Sequence, residues 1–222
     1  MTTSYPPPPD GNPLVTPPIT LFKSALKFGA LLCLGLIVSG CALMGPRDPQ
    51  HPRVLLQTSQ GDITLELDRD HAPLSVDNFL RYACEGHYDG TVFHRIVPGF
   101  VIQGGGYNVD LSDRPRHPQI KLESGNGLSN LRGTLAMARD MEPDTADAEF
   151  YINLVDNLKL NPHPEIPGRG HGYAVFGRVV EGMDVVDRIA ALPTHAVNDD
   201  FSNVPLEPVL INKAKSASCH WW

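Results

Sequence analysis

The chain has 222 residues, and its 21 prolines and 20 glycines argue against a helix-rich fold. With 18 Lys and Arg residues against 25 Asp and Glu residues, the net charge of −7 argues against nucleic acid as a partner. Four cysteines without a CxxC pair are too few for a disulfide scaffold, and they also argue against structural zinc.

Residues 1–40 read as a leader rather than as part of a fold. The first twenty residues contain seven prolines and are predicted to be disordered. Lys23 and Lys27 then precede an apolar run at residues 28–38, which is too short to span a bilayer but suits the hydrophobic part of a signal peptide. Val15 or Leu21 could be alternative translation starts, which would leave a signal peptide of ordinary length.

The apolar run ends at residues 38–41 with the sequence VSGC, which resembles the lipobox of bacterial lipoproteins. This pattern predicts that Cys41 is lipidated and becomes the N-terminus, with residues 41–52 as a tether. The alternative is a buried cysteine beside an uncleaved anchor. The prediction places the protein in the bacterial cell envelope, anchored to a membrane by lipid and facing the periplasm.

A β-hairpin is predicted directly after the tether. Hydrophobic and polar residues alternate at residues 54–58 and 63–67, and a turn lies between the two runs. Strict alternation indicates strands that have one buried face. The hairpin therefore predicts the start of a β-rich domain.

Two helices and several short strands are predicted in the rest of the chain. Val76, Phe79, Leu80 and Ala83 are spaced as one helix face, and a second helix is predicted near residues 183–190. Short apolar runs, several of them bounded by glycine, lie between and around the two helices. Strands of this kind with few helices favour a closed antiparallel barrel.

The segment at residues 92–106, VFHRIVPGFVIQGGG, resembles the signature of the cyclophilin-type peptidyl-prolyl isomerases. Other segments are similar to family counterparts in order and spacing, namely GDITLELDRDHAPLSVDNF upstream and RGTLAMAR, EFYI and YAVFGRVVEGMDVVDRI downstream. The likeness is to the bacterial periplasmic branch. It implies an eight-stranded antiparallel barrel capped by two α-helices at residues 53–211, a peptide groove on its outer wall, and a C-terminal tail at residues 212–222.

The resemblance also implies the residues of the site. Arg95 would donate a hydrogen bond to the imide nitrogen, Gln103 would orient Arg95, and no metal or cofactor is required. The partners would be proline-containing segments of unfolded or partly folded proteins. The implied contacts to substrate are Phe100, Val101, Ala138, the backbone N–H of Arg139, Glu149, Tyr151, Leu160 and Tyr173.

Four positions depart from the usual family pattern. Glu149 replaces a common glutamine, Tyr151 replaces phenylalanine, Tyr173 replaces histidine as in bacterial relatives, and Lys159 falls where tryptophan or phenylalanine is usual. These departures leave substrate preference and cyclosporin sensitivity open. We expect the Glu149 carboxylate to compete for the N–H groups of Arg95 and so to temper its activity.

The glycine triplet and the histidines fit ordinary structural roles. Residues 104–106, three glycines, lack the spacing of a phosphate loop and predict a turn. His163 and His171 lack the spacing of metal ligands, so no metal is predicted. The sequence leaves open whether Cys84 and Cys219 pair.

Two functions of different classes remain. The first is an isomerase that assists proteins folding outside the cytoplasm, and the second is a binding module on the same barrel that has no catalytic activity. A charged donor at Arg95 beside apolar Phe100 favours the enzyme, because a module that only binds proline peptides has no use for that charge.

Overall fold

The structure is a computed structural model that describes residues 48–163, 165 and 170–221. The predicted leader, the signal peptide and Cys41 lie outside the described residues, as does most of the tether. No helix within the described part of the chain is both long and apolar enough to cross a membrane.

The described residues form eleven β-strands and two α-helices. Nine strands make one antiparallel sheet in the order β3-β11-β1-β2-β8-β6-β7-β5-β4, and β9 pairs with β10 separately. The strands are β1 (Arg53–Thr58), β2 (Gly61–Leu67), β3 (Thr91–Val92), β4 (Arg95–Val97), β5 (Val101–Gly104), β6 (Thr134–Met137), β7 (Phe150–Asn153), β8 (Val175–Glu181), β9 (Thr194–His195), β10 (Val204–Pro205) and β11 (Leu210–Ser216).

The sheet curls until its two end strands, β3 and β4, are consecutive in the chain. Only Phe93 and His94 separate them, so they act as one interrupted strand that pairs with β11 in its first half and with β5 in its second. Counted in this way, the sheet has eight strands. The two ends of the sheet are joined by the chain itself. No ladder of hydrogen bonds between described residues joins β3 to β4. The predicted mainly β fold with two helices is confirmed.

The predicted hairpin is present, and its alternation sets the inner face of the sheet. Val54 pairs with Leu65 and Leu56 pairs with Ile63, and all four side chains are fully buried. Because successive side chains on a strand point to opposite faces, Leu55 and Thr64, which lie between them, face outward. The same alternation later determines which residues reach the outer wall.

Helix α1 (Pro73–Cys84) buries the face that its spacing predicts. Proline is well suited to the first turn of a helix because its missing N–H would have no intrahelical acceptor there. The Glu123 carboxylate accepts hydrogen bonds from the backbone N–H groups of Leu74 and Ser75, at 3.0 and 2.8 Å. Helix α2 (Met183–Ala190) has the predicted bounds and buries Val185, Val186 and Ile189.

The C-terminal segment belongs to the folded domain. Strand β11 continues to Ser216, five residues past the domain end predicted from the sequence, and pairs with β1 along most of its length. Cys219 then forms a disulfide with Cys84 at the end of α1. The predicted tail therefore begins as a central strand, and the cysteine pairing that the sequence left open is present.

Candidate active site

Strand pairing brings the predicted site residues into one row on the outer wall. Arg95 of β4 lies opposite Gln103 of β5, and Gln103 lies opposite Tyr151 of β7. The row continues from Tyr151 to Ala136 of β6 and from there to Val175 of β8. The residues next to Arg95 and Gln103, Ile96 and Ile102, point inward and are fully buried, because side chains alternate along each strand.

A cavity of about 160 Å³ opens over this row. Nine of the ten predicted site residues line it, although they come from several distant parts of the sequence, and Glu149 is not in its wall. The lining residues are Arg95, Phe100, Val101, Gln103, Ala138, Arg139, Tyr151, Leu160 and Tyr173.

Arg95 holds the charged side of the cavity. Its Nη1 donates a hydrogen bond to Oε1 of Gln103 at 3.3 Å, and its Cζ lies 5.9 Å from the centre of the Phe100 ring. Lys159 places its Nζ 4.6 Å from the same ring centre. Since a guanidinium has five N–H donors, most of those on Arg95 are available to a ligand.

The opposite side of the cavity is apolar. Val101 and Tyr151 are almost fully buried, and Phe100, Leu160 and Tyr173 pack against them. The Tyr151 and Tyr173 rings meet edge to face with their centres 5.8 Å apart. A cation beside a small apolar cavity suits a ligand that has a compact hydrocarbon ring next to an electron-rich atom.

Arg139 contributes to the site through both its side chain and its backbone. Its Cζ lies 4.7 Å from the centre of the Tyr173 ring, and its Nε donates to the Gly172 carbonyl at 2.8 Å. The neighbouring Ala138 N–H donates to the Glu149 carbonyl, whereas no described residue accepts from the Arg139 N–H. Among the described residues that N–H therefore has no acceptor, and the contact to a peptide carbonyl stays a prediction.

Glu149 does not contact Arg95, which corrects the expectation that it competes for the guanidinium. Its Oε2 accepts from Nε2 of Gln103 at 2.8 Å, and its Oε1 forms an ion pair with Nη2 of Arg116 at 3.0 Å. The sequence analysis did not identify Arg116. Arg116 lies in a loop whose sequence has neither helical nor strand periodicity, and folding brings it next to Glu149, the residue before β7.

The Tyr151 hydroxyl belongs to a buried amide network. It donates to Oδ1 of Asn130 at 2.8 Å, and Asn153 donates to the same oxygen at 3.1 Å. Burial raises the pKa of Tyr151 well above its usual value, so the phenol stays protonated as a donor. Asn130 is fully buried, and it therefore needs these partners.

Tyr151→Phe is expected to lower the free energy of unfolding by about 0.5–1.5 kcal/mol, because one hydrogen bond to Asn130 is lost while that from Asn153 remains. Urea denaturation measures the change. Tyr173→Phe is the matched control, since no described residue is hydrogen-bonded to the Tyr173 hydroxyl. Equal stability of Tyr151→Phe and wild type would contradict the prediction.

A second cavity, of about 590 Å³, touches the row only at its Val175 end and includes none of the predicted site residues. Glu66, Asp68 and Arg178 line it, together with His51. The ligand atoms of His51, Asp68 and Asp70 lie within 4.8 Å of one another. These three side chains are partly or fully exposed and nothing else there points to an ion, so we assign no metal to them.

Comparison with known protein families shows which family the chain belongs to. A family model described as cyclophilin type peptidyl-prolyl cis-trans isomerase/CLD matches residues 53–216. The chain is 49% identical over 162 residues to peptidyl-prolyl cis-trans isomerase A of Dickeya dadantii, which covers 73% of this chain and 83% of that protein. It is 44% identical over 186 residues to an isomerase of Acinetobacter baylyi, which covers 84% and 93% of the two chains.

Solved structures show the same fold. A cyclophilin-type isomerase of Cryptosporidium parvum superposes with a TM-score of 0.61 at 26% sequence identity, covering 76% of this chain and 98% of that one. A second structure of that protein, determined in the presence of the dipeptide Ala-Pro, also gives a TM-score of 0.61 at 26% identity and covers 75% and 99% of the two chains.

Proposed function

The chain belongs to the cyclophilin-type peptidyl-prolyl cis-trans isomerases and is an enzyme of that type, and we propose that Arg95 is its catalytic residue. Rotation about the Xaa-Pro bond has a barrier of about 18–20 kcal/mol because the peptide bond has partial double-bond character. One observation carries the assignment: the Arg95 guanidinium lines a small cavity that has an apolar side, and among the described residues only Gln103 accepts a hydrogen bond from it.

Arg95 acts by stabilising the twisted bond. In the planar ground state the imide nitrogen shares its lone pair with the carbonyl, whereas in the twisted state it regains that lone pair. A cation that donates a hydrogen bond to the nitrogen therefore stabilises the transition state more than the ground state, which lowers the barrier. The guanidinium also keeps its charge at every physiological pH.

The remaining residues hold the peptide in place. Phe100, Val101 and Leu160 enclose the proline ring in the apolar side of the cavity, and the Arg139 N–H binds a substrate carbonyl. The structure of a Cryptosporidium parvum relative determined with Ala-Pro supports proline-containing peptides as substrates. Lys159, above the Phe100 ring, adds a second cation close to the cavity.

An isomerase and a binding module without catalytic activity differ in one measurement. Purified protein is mixed with a proline peptide, and cis-trans exchange is followed by a protease-free method such as NMR exchange spectroscopy. We expect exchange to accelerate in proportion to enzyme concentration. Peptide binding without faster exchange would establish the binding module instead.

We further propose that the enzyme acts on proteins folding in the cell envelope. The Cys84–Cys219 disulfide supports this location, since disulfides persist in oxidising compartments and are rare in the cytosol. The other cysteines, Cys33 and Cys41, lie in the signal and lipobox segments of the sequence. The processed protein would thus have one lipidated cysteine and one disulfide.

Cys41→Ser is expected to prevent lipidation, because the serine hydroxyl does not replace the thiol that the lipoprotein pathway acylates. The variant should appear in the soluble fraction or remain unprocessed, whereas the wild type should sediment with membranes. Fractionation and mass spectrometry of the N-terminus measure this. An unmodified Cys41 still joined to Gly40 in the wild type would rule out the lipid anchor.

A further inference from the structure

We propose that Arg116 and Glu149 are positioning residues that set the orientation of Gln103 and, through it, of the catalytic Arg95. The inference rests on the function proposed above for Arg95. In this role the two residues determine which end of the Gln103 amide faces Arg95, in addition to stabilising the fold.

The direction follows from what each group can donate or accept. Glu149 Oε2 lies 2.8 Å from Nε2 of Gln103, and an ionised carboxylate can only accept hydrogen bonds. Gln103 must therefore turn its NH₂ group to Glu149 and its carbonyl oxygen to Arg95 Nη1, 3.3 Å away. The reversed amide would place NH₂ against the donors of Arg95, so the carboxylate selects the productive orientation.

Arg116 is the group that keeps the carboxylate ionised. The Glu149 side chain is only 12% exposed, and this burial raises its pKa against the opposing influence of Gln103 and Arg116. Burial by itself would lower the pKa of Arg116. The nearby carboxylates of Glu149 and Asp147 have the larger combined effect, so the pKa of Arg116 is raised. The guanidinium forks between the two, with Nη1 3.0 Å from Asp147 and Nη2 3.0 Å from Glu149.

The surroundings of Glu149 hold it in this position. A Cβ atom added at Gly106 would lie 2.6 Å from Cγ of Glu149, so only glycine leaves room for the side chain. His94 Nε2 lies 3.4 Å from Oε2 of Glu149 on the other side. Burial lowers the pKa of His94 to about 4, so this imidazole is neutral at physiological pH and supplies no charge to the carboxylate.

Three variants test this relay, which runs from Arg116 through Glu149 and Gln103 to Arg95. They are Arg116→Ala, Glu149→Gln and the double variant. Without Arg116 the buried carboxyl tends to protonate, and its O–H can donate to the Gln103 carbonyl and reverse the amide. We expect kcat to fall by about ten- to a hundred-fold with peptide affinity unchanged, because a misplaced catalytic group costs on this order. Glu149→Gln should lower kcat only a few-fold.

The double variant gives the decisive comparison. With glutamine at position 149 no carboxyl faces the Gln103 amide, so its orientation no longer depends on Arg116, and Arg116→Ala/Glu149→Gln should recover to within a few-fold of Glu149→Gln. Asp113→Ala is the matched control, since Asp113 pairs with Arg116 at 2.9 Å but is 73% exposed, and its kcat should equal that of the wild type. Wild-type kcat in Arg116→Ala, or a double variant no better than Arg116→Ala, would overturn the relay.

A pH profile tests the same relay with a variant that keeps Arg116. A protonated Glu149 would favour the reversed Gln103 amide, so kcat of the wild type should fall as pH drops through the raised pKa of Glu149, and this acid limb should disappear in Glu149→Gln. The charged or titratable groups facing Glu149 are Arg116, Asp147, His94 and Tyr107, and all remain in that variant. An unchanged acid limb would contradict the inference. Absence of isomerase activity in the wild type would instead overturn the proposed function and the relay with it.

Discussion

Arg95→Ala is expected to lower kcat/KM by about thirty- to a thousand-fold, the loss that corresponds to roughly 2–4 kcal/mol of transition-state stabilisation. The hydrogen bond from the guanidinium forms with the pyramidal nitrogen of the twisted imide and is absent in the planar ground state. Its loss should therefore lower kcat far more than peptide affinity. Exchange spectroscopy measures turnover, and titration with a proline peptide measures affinity.

Two variants separate this role from simple binding. Arg95→Lys should recover little activity, because a point charge on a flexible stem does not reproduce the oriented fork of a guanidinium. Phe100→Ala should weaken ground-state and transition-state binding together, since it removes one wall of the cavity. Circular dichroism confirms that each variant is folded. Wild-type turnover in Arg95→Ala would refute the mechanism.

Replacing both Cys84 and Cys219 by alanine is expected to lower the free energy of unfolding by about 2–5 kcal/mol. The disulfide joins positions 135 residues apart and ties the segment after β11 to the end of α1. Without the bond the unfolded chain gains conformational freedom, and the C-terminal end of the sheet loses its covalent link. Urea denaturation of oxidised wild type and double variant measures the difference.

Reduction provides the control for that result. Dithiothreitol should destabilise the wild type by a similar amount and should leave the double variant unchanged. Equal stability of wild type with and without reductant would show that the disulfide contributes nothing to the folded state.

Several elements of the curled sheet and both helices could be predicted from local sequence patterns. Alternation at residues 54–58 and 63–67 identified the inner face of the first hairpin, and helical spacing identified the buried face of α1 and the bounds of α2. These patterns are local because a strand or helix face is set by neighbours a few residues apart. The motif at residues 92–106 implied that Gln103 orients Arg95, and the structure pairs these two residues across β4 and β5.

Other features depended on distant parts of the chain. The polar and charged residues of β11 gave little sign of a strand past residue 211, yet pairing with β1 extends it to Ser216. The disulfide needed Cys84 and Cys219 to lie 5.1 Å apart at Cα, which no spacing along the chain predicts. Long-range contacts, rather than local propensity, determine both.

The same distinction between local patterns and long-range contacts applies to the site. By itself the sequence determined which residue types meet at the cavity, because its resemblance to the family implied Arg95, Gln103 and Tyr151 as site residues, and strand pairing places them in one row. Only the tertiary structure decided what Glu149 does. The effect of a carboxylate depends on which cation lies next to it. In the folded protein Glu149 pairs with Arg116 and not with Arg95, because folding brings the loop that contains Arg116 next to Glu149.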